Sequence, residues 1–342
     1  MRRVVVREPG GYEALELLEE ADPAPGPGQV RVAVRAAGVN YADCIVRIGR
    51  YEAAKGRYPL APGFEFAGEV DAVGEGVTRW KAGDPVVGIT RFGGYTSSIV
   101  VEEARLWAAP QGWSYAEAAA FPAVFLTAYY ALFRCAKVEA GELLLIHSAA
   151  GGVGTALLQL AKIADCKTIG VVGAPHKRAV CEKLGASEVI VRAQESLWKR
   201  ADQLAPKGFD AIFDANGVST LSKGFERLAP GGRLVVYGFA DIMPRGASEN
   251  PSVVKLAWNY LRVPKFSPLA MTTTNRGVMG FNVIFLFDRL DLADQAMRAL
   301  LGWAAEGRVA KPSVTTYPLE KAAEAHHALE SGQTTGKLVL IP

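Results

Sequence analysis

The stretch from Leu143 to Gly238 alternates short apolar runs with helical patterns, and few architectures satisfy that order. Leu143-Leu144-Leu145-Ile146-His147 is a continuous apolar run of strand length, and Val153 to Ile163 has helical spacing. Thr168 to Val172, Glu188 to Val191, Phe209 to Asp214 and Arg233 to Gly238 repeat the strand pattern, and Lys177 to Leu184 reads as a helix. Strands that are apolar throughout need cover on both faces. The alternation therefore predicts an α/β domain with a doubly wound parallel sheet.

The first of these strands runs into Ser148-Ala149-Ala150-Gly151-Gly152-Val153-Gly154, which opens a helix. Strand, Gly-rich turn and helix in that order are the context a dinucleotide-binding (Rossmann) fingerprint requires. Gly151 lets the backbone approach a pyrophosphate on the helix N-terminus, where free N–H groups and the helix dipole favour an anion. Ala150, Gly152 and Val153 belong to the same cradle. Gly154 lets the helix pack closely on the strand, and Ala149 stands where the first glycine of G-x-G-x-x-G falls. The plainer alternative is a tight strand–helix turn with no ligand.

About twenty residues further on, at the end of the second strand, NAD-binding proteins carry an acid for the ribose 2′-hydroxyl. Here Gly173-Ala174-Pro175-His176-Lys177-Arg178 offers no carboxylate and a basic cluster instead. A carboxylate would repel a 2′-phosphate, whereas Lys177 or Arg178 can pair with one. The competing reading is a solvated helix start that happens to be basic, but cations there are mildly unfavourable. The position favours NADPH over NADH.

The chain of 342 residues fits two domains of roughly 150 residues each. Its first hundred or so residues carry short strand patterns between Gly and Pro, as in Val30 to Ala36, Phe66 to Gly74 and Asp84 to Ile89. Such spacing suggests a partly closed β barrel. Ser114-Tyr115-Ala116-Glu117 is a possible helix cap, and Val124 to Phe133 reads as an apolar helix. After about residue 275 come a strand pattern (Val278 to Phe285), a helix (Leu292 to Glu306) and a last strand, Gly336 to Ile341. That end segment is too short for its own core. The expected division is a discontinuous barrel domain, 1–122 with 275–342, holding an inserted sheet domain, 123–274.

A net charge of +3, with Lys and Arg scattered among nearly as many carboxylates, gives no case for nucleic acid. No stretch of about 18 uncharged apolar residues is present, so no transmembrane span is expected. The N-terminus reads as a strand rather than a signal peptide, and Cys44, Cys135, Cys166 and Cys181 form no C-x-x-C pair. These features are those of a cytoplasmic protein with reduced thiols.

Several motifs in order resemble the medium-chain dehydrogenase/reductase superfamily and, within it, the quinone oxidoreductase branch. They are Ala37-Gly38-Val39-Asn40-Tyr41-Ala42-Asp43, Pro62-Gly63-Phe64-Glu65-Phe66-Ala67-Gly68, Leu126-Thr127-Ala128-Tyr129, the Gly-rich turn, Asp214-Ala215-Asn216-Gly217 and Gly231-Gly232-Arg233-Leu234-Val235. Tyr237-Gly238-Phe239-Ala240 and Asn275 to Asn282 look most like the synaptic-vesicle membrane protein subgroup. The resemblance implies a GroES-like barrel around the inserted sheet, and a homodimer joined through sheet edges. It also implies that Asn40 and Phe64 stand where zinc alcohol dehydrogenases place a Cys and a His ligand. Phe64 cannot bind a metal, so no catalytic zinc is expected. Without a Lewis acid the acceptor must itself be electron-poor, such as a quinone or an enone.

The resemblance further implies that Asn40 lies beside the nicotinamide and orients the cofactor or polarises a substrate oxygen; holding a loop is its other possible role. Tyr41 and Tyr51 can donate to a developing enolate or quinol oxygen, or simply pack. Thr127 matches a position that meets the nicotinamide-side phosphate. Asn216, Gly238 and Phe239 end strands and should contact adenosine or nicotinamide, with Phe281 and Val283 approaching through their backbones. Asp43 and Arg47, four apart, are expected to pair on a helix face, and His147 to be a satisfied strand residue. Two alternatives stand beside quinone reduction: an enoyl or alkenal reductase, and an NADPH-binding protein with little turnover. In the second, the apolar segment Val253 to Leu261 would contact a membrane or partner.

Overall fold

Alternation along β3 (Gln29–Val39) buries Val30, Val32 and Val34 on one face, and this eleven-residue strand organises the first half of the chain. The computed structural model describes residues 1–241 and 261–342. Before β3 lie β1 (Arg2–Val6) and β2 (Leu15–Glu19), an antiparallel pair; after it come β4 (Glu65–Val73), β5 (Pro85–Ile89), β6 (Ser98–Glu102) and β7 (Leu106–Ala108). The inserted strands are β8 (Leu143–Ile146), β9 (Lys167–Val172), β10 (Glu188–Val191), β11 (Phe209–Asp214), β12 (Leu228–Val236) and β13 (Gly277–Gly280). Finally β14 (Val314–Pro318) and β15 (Lys337–Ile341) close the chain.

These strands form two larger sheets and two compact units. One unit takes Met1–Leu126 with Val283–Pro342, and the other takes the described residues of 127–282. In the first, a seven-stranded sheet runs β14-β15-β3-β4-β5-β7, with β6 also on β3. The two ends of β3 do different work: residues 29–33 pair with β6, and residues 37–39 pair with β15 on return from the far end of the chain. Register shifts between Arg31 and Val32 and between Val34 and Ala36 accompany this divided pairing. Val70, Val86, Ile99 and Leu106 complete the core beneath.

In the second unit, all the strand pairs are parallel and their order is β10-β9-β8-β11-β12-β13. This is the doubly wound order, with its switch point between β8 and β11. Leu145, Ile169, Ile190, Ile212 and Leu234 are buried from strand to strand, as the apolar runs require. The strand pattern at Val278–Phe285 is realised only as Gly277–Gly280, followed by a 3-10 turn, Val283–Leu286. β13 pairs with β12, so the parallel sheet extends past residue 275. The apolar helix after the Ser114 cap is also interrupted. Tyr115–Ala119 and Pro122–Tyr129 are α-helical, and Tyr130–Ala136 continues as a π-helix ending at left-handed Lys137. The run Tyr115–Ala136 is long and apolar enough to cross a membrane, but 72% of its apolar window is buried in the protein, as in a core helix. Of the segment Val253 to Leu261, residues 253–260 lie outside the described residues.

Asp43 and Arg47 do not pair as their spacing suggested. Arg47, 1% exposed, donates to Glu330 Oε1 at 2.9 Å and to His326 Nδ1 at 3.1 Å. His326 Nε2 lies 3.0 Å from the Tyr95 hydroxyl, and Tyr12 donates to Glu330 and lies under the Arg47 guanidinium. These bonds dock helix Tyr41–Arg47 onto helix Ala322–Glu330 through a dry polar seam. A tertiary partner 283 residues away outcompetes a helical neighbour because Arg47 is buried, where an incompletely paired charge is costly. Burial first, and then the Arg47 charge, pull the His326 pKa down to about 3. The unfolded chain binds the proton near pH 6.5 and the folded chain does not, so stability present above pH 6.5 is lost as pH falls towards 3. Urea denaturation at stepped pH should therefore show His326→Gln, although weaker at neutrality, losing less stability than the parent between pH 6.5 and 4.

Candidate functional site

The Gly-rich turn follows β8 directly. Its left-handed residue is Ser148, at φ 53°, and Gly151 is the N-cap of helix Gly152–Ile163. The Ala149 N–H bonds Val171 on β9, and the methyl of Ala149 faces Gly170, where an added Cβ would lie 3.1 Å away. An alanine therefore fits where the fingerprint has its first glycine, because the neighbouring strand supplies the missing space. At Gly154 a Cβ would lie 2.4 Å from the Ser148 carbonyl oxygen and 2.6 Å from Ala149 Cα, so only glycine lets this helix sit so close. Gly151 differs. A Cβ there would meet only the Ser148 oxygen, at 3.3 Å, a tight contact that a shift of a few tenths of an ångström would relieve.

Around the switch point, the ends of the strands are tied together. Ser148 Oγ donates to Asn216 Oδ1 at 3.1 Å, and Asp214 Oδ1 accepts the N–H groups of Asn216 and Gly217 at 2.7 and 2.9 Å. Gly238 is pressed against the backbone after β11, since a Cβ would lie 2.9 Å from the Ala215 oxygen, and Phe239 covers Gly217. Phe281 donates its N–H to Val236 and stacks near Tyr130, with ring centroids 4.9 Å apart. The cradle residues Ala150, Gly151, Gly152 and Val153 and the strand-end residues Asn216, Gly238 and Phe239 thus gather at the carboxyl ends of the strands. Thr127 is buried in helix Pro122–Tyr129.

His147 is not the satisfied strand residue its sequence suggested. It is fully buried, its Nε2 lies 3.8 Å from Asp214 Oδ2, and neither ring nitrogen nor that oxygen has a hydrogen-bond partner among the described residues. Burial lowers its pKa, against the opposing pull of Asp214.

The basic cluster after β9 has a member that the sequence reading missed. Arg192 follows β10, bonds Val172 through its N–H, and holds Nη2 3.8 Å from the position of a Cβ on Gly173. Lys177 is half-buried. Desolvation depresses its pKa, with the Arg192 charge acting in the same direction and Cys181 opposing. Lys177 and Arg192 put like charge on one strand end whose own sequence, Gly173 to Arg178, holds no carboxylate, a setting that suits an anion. Arg192 carries no local motif; only the pairing of β9 with β10 brings it to Gly173.

The barrel unit gathers its candidates around a carboxylate. Glu65, at the start of β4 and 0% exposed, accepts from Asn40 Nδ2 at 2.9 Å, Lys337 Nζ at 2.6 Å and the Ala123 N–H at 2.7 Å. Lys337 Nζ also donates to Asn40 Oδ1 at 2.5 Å. Gly38 makes this possible, because a Cβ there would lie 2.5 Å from Glu65 Oε1. Asp43, also fully buried, accepts from the Asn40 and Gly63 N–H groups, both at 2.8 Å. Burial raises its pKa to about 7, although those two bonds and Lys337 oppose the shift.

Tyr51 is buried with its ring 5.7 Å from that of Phe64, which in turn lies 5.8 Å from Phe92. Tyr41 and Val283 are half-buried, at the starts of helix Tyr41–Arg47 and of the turn Val283–Leu286. Among the described residues no group of three or more His, Cys, Asp or Glu could hold a metal ion. All four cysteines are free, three of them buried. Glu65, Lys337 and Arg192 are the site residues that sequence reading did not single out.

Comparison with known proteins places these features in context. Residues 26–128 match the family model described as the alcohol dehydrogenase GroES-like domain, and residues 184–340 match the zinc-binding dehydrogenase model. The chain is 33% identical to the synaptic vesicle membrane protein VAT-1 homolog of Rattus norvegicus, covering all of this chain and 84% of that protein. The Escherichia coli quinone oxidoreductase complexed with NADPH superposes with a TM-score of 0.86 at 30% identity, over 100% of both chains. The CurK enoyl reductase superposes at 0.83 with 25% identity, covering 99% of this chain and 98% of that one.

The two glycines of the turn make separable predictions. Gly154→Ala forces a Cβ into backbone and should lower stability by about 1–3 kcal/mol. Gly151→Ala should stay within roughly 0.5 kcal/mol of the parent. Thermal melts of the two variants check both.

Proposed function

From its membership of the medium-chain dehydrogenase/reductase superfamily, in the branch of quinone oxidoreductases and VAT-1 homologues, we propose that the chain is an NADPH-dependent reductase of quinones or conjugated carbonyls. The observation that supports the cofactor assignment is Arg192 held beside Gly173, with its charge acting on Lys177, where Gly173 to Arg178 supplies no carboxylate. Ala150 to Val153 would hold the pyrophosphate against the helix N-terminus, with Lys177 and Arg192 on the 2′-phosphate. Thr127, Asn216, Gly238, Phe239, Phe281 and Val283 would complete the cradle. The bound cofactor supplies the hydride.

Asn40 would present its amide to the nicotinamide or to the acceptor oxygen, and Tyr41 or Tyr51 would give a phenol hydrogen bond. The donor set around Phe64 supports reduction without zinc, since that side chain is packed between aromatic rings and carries no ligand atom. An acceptor that needs no Lewis acid is then the natural substrate class. Enoyl reduction is the second reading, favoured by the CurK likeness, and differs only in the electron-poor double bond that is reduced. A homodimer through the edge strand β13, whose Met279 is 47% exposed, completes the proposal.

Loss of 340 nm absorbance should accompany mixing with 1,4-benzoquinone, 9,10-phenanthrenequinone or an enone, faster with NADPH than with NADH. Lys177→Glu should raise the KM for NADPH by roughly 10–100-fold, the worth of a hydrogen bond to a charged group, while sparing NADH. Equal effects on both cofactors would exclude Lys177 from the 2′-phosphate. Gly151→Val should abolish binding of either cofactor, measured by fluorescence. NADPH binding with none of the acceptors turned over would favour a binding protein instead.

A further inference from the structure

Side-chain amides are symmetric in outline, and only their partners say which end is oxygen. Asn40 lies between two partners that leave no choice. Lys337 Nζ, 2.5 Å from one end, has only hydrogens to give; Glu65 Oε1, 2.9 Å from the other, has only lone pairs. The oxygen of Asn40 must face Lys337 and its nitrogen must face Glu65.

Both partners are held in place. Lys337 is 4% exposed and Glu65 is 0% exposed, and the two bond each other at 2.6 Å. Antiparallel pairing sets Leu338 opposite Val39, which brings Lys337 opposite Asn40 at the next position. The second oxygen of Glu65 is taken by the Ala123 N–H, and Gly38 leaves the carboxylate no competing Cβ. Reversing the amide would set N–H against ammonium and carbonyl against carboxylate, with both of those partners buried. In such surroundings two mismatched polar contacts are prohibitive.

We infer that the buried Glu65–Lys337 pair is an orienting device that makes Asn40 a hydrogen-bond donor, so that its remaining Nδ2 hydrogen is offered to a ligand oxygen. The Lys337 charge on the amide oxygen makes that oxygen a poor acceptor and polarises the N–H. The group this suits is a carbonyl oxygen that gains negative charge, as an enone or quinone oxygen does when hydride arrives. Lys337 and Glu65 are positioning residues; Asn40 is the residue that touches. This role for Asn40 rests on the proposed reduction, whereas the fixed amide does not.

The test therefore has two arms. In protein carrying 15N-asparagine, the Asn40 side-chain signals are identified by their loss in Asn40→Ala. One amide proton, the one donated to Glu65, should be shifted downfield and exchange slowly with water, while its geminal partner behaves ordinarily. Two protons exchanging alike at the rate of a free amide would overturn the orienting device, whether or not the protein turns over.

Lys337→Met alone leaves a buried carboxylate unpaired and can fail to fold. The informative variant is Glu65→Gln/Lys337→Met, which removes both charges together and, like other neutralised buried pairs, should keep its fold. It should lose the slow proton and hold its NADPH dissociation constant within about twofold, while kcat falls by roughly 10–100-fold, towards the loss of one oxyanion donor. A wild-type kcat in this variant would overturn the inference and leave the reductase reading intact. A fixed amide in a protein that reduces none of the acceptors would sink the reductase reading, and with it the donor role of Asn40, while the orienting device stands.

Discussion

One carboxylate with no access to water joins four separate stretches of the barrel unit. Glu65 opens β4, and its oxygens are claimed by the end of β3 through Asn40, the start of β15 through Lys337 and the first turn of helix Pro122–Tyr129 through Ala123. Burying a carboxylate is expensive unless its lone pairs are used, so these segments assemble together or not at all. Much of the local sequence answers to that demand. Gly38 must be small so that Glu65 fits, and the helix must begin where the Ala123 N–H can meet a negative charge. β15 must return from the far end of the chain to bring the cation.

The sheet unit is governed by a different constraint, close approach of backbone to backbone. Gly154 and Gly238 each lie where a Cβ would strike main-chain atoms, and between them they set how nearly the helix and the loops approach the strand ends. Gly151 shares this role only weakly, since a Cβ there would meet a single main-chain oxygen at 3.3 Å. Packing therefore explains two of these glycines and leaves the third to whatever the turn receives. Nearby, Asp214 spends one oxygen on the turn carrying Asn216 and keeps the other facing His147 without a hydrogen bond among the described residues. A buried half-satisfied pair of this kind keeps polar strain beside the switch point, the part of a doubly wound sheet where ligands bind.

The chemistry available on the barrel side follows from what its side chains lack as well as what they hold. Phe64 fills its place with an aromatic ring, and Asn40 is bound on both ends of its amide. What such a site can supply is orientation and hydrogen bonding in a dry environment, where each fixed dipole counts for more than it would in water. The fold is shared with a quinone oxidoreductase and an enoyl reductase, so fold alone does not name the acceptor.

Periodicity alone pointed to the doubly wound sheet, because fully covered strands must be apolar on both faces, as the central residues of β8 to β12 are. The strand–turn–helix order marked the Gly-rich turn at the switch point, and the missing acid after β9 marked a basic cluster, both from residues adjacent in sequence. β13 was legible only in part: Val278–Phe285 is mostly apolar, but the strand ends at Gly280 and a turn follows from Val283. His147 misled because nothing local shows that it is buried without a hydrogen-bond partner among the described residues, and Asp43 and Arg47 misled for another reason. Spacing reports which groups can meet on one element, and in a buried site the energetic need for full pairing selects partners from anywhere in the chain. Arg47 found Glu330, and Arg192 came to Gly173 only when β9 and β10 paired. Lys337, in an ordinary closing strand, became a partner of Asn40 and Glu65 only when β15 lay down on β3. Local order wrote the architecture; tertiary structure chose the charges at its centre, because the cost of leaving them unpaired exists only once they are buried.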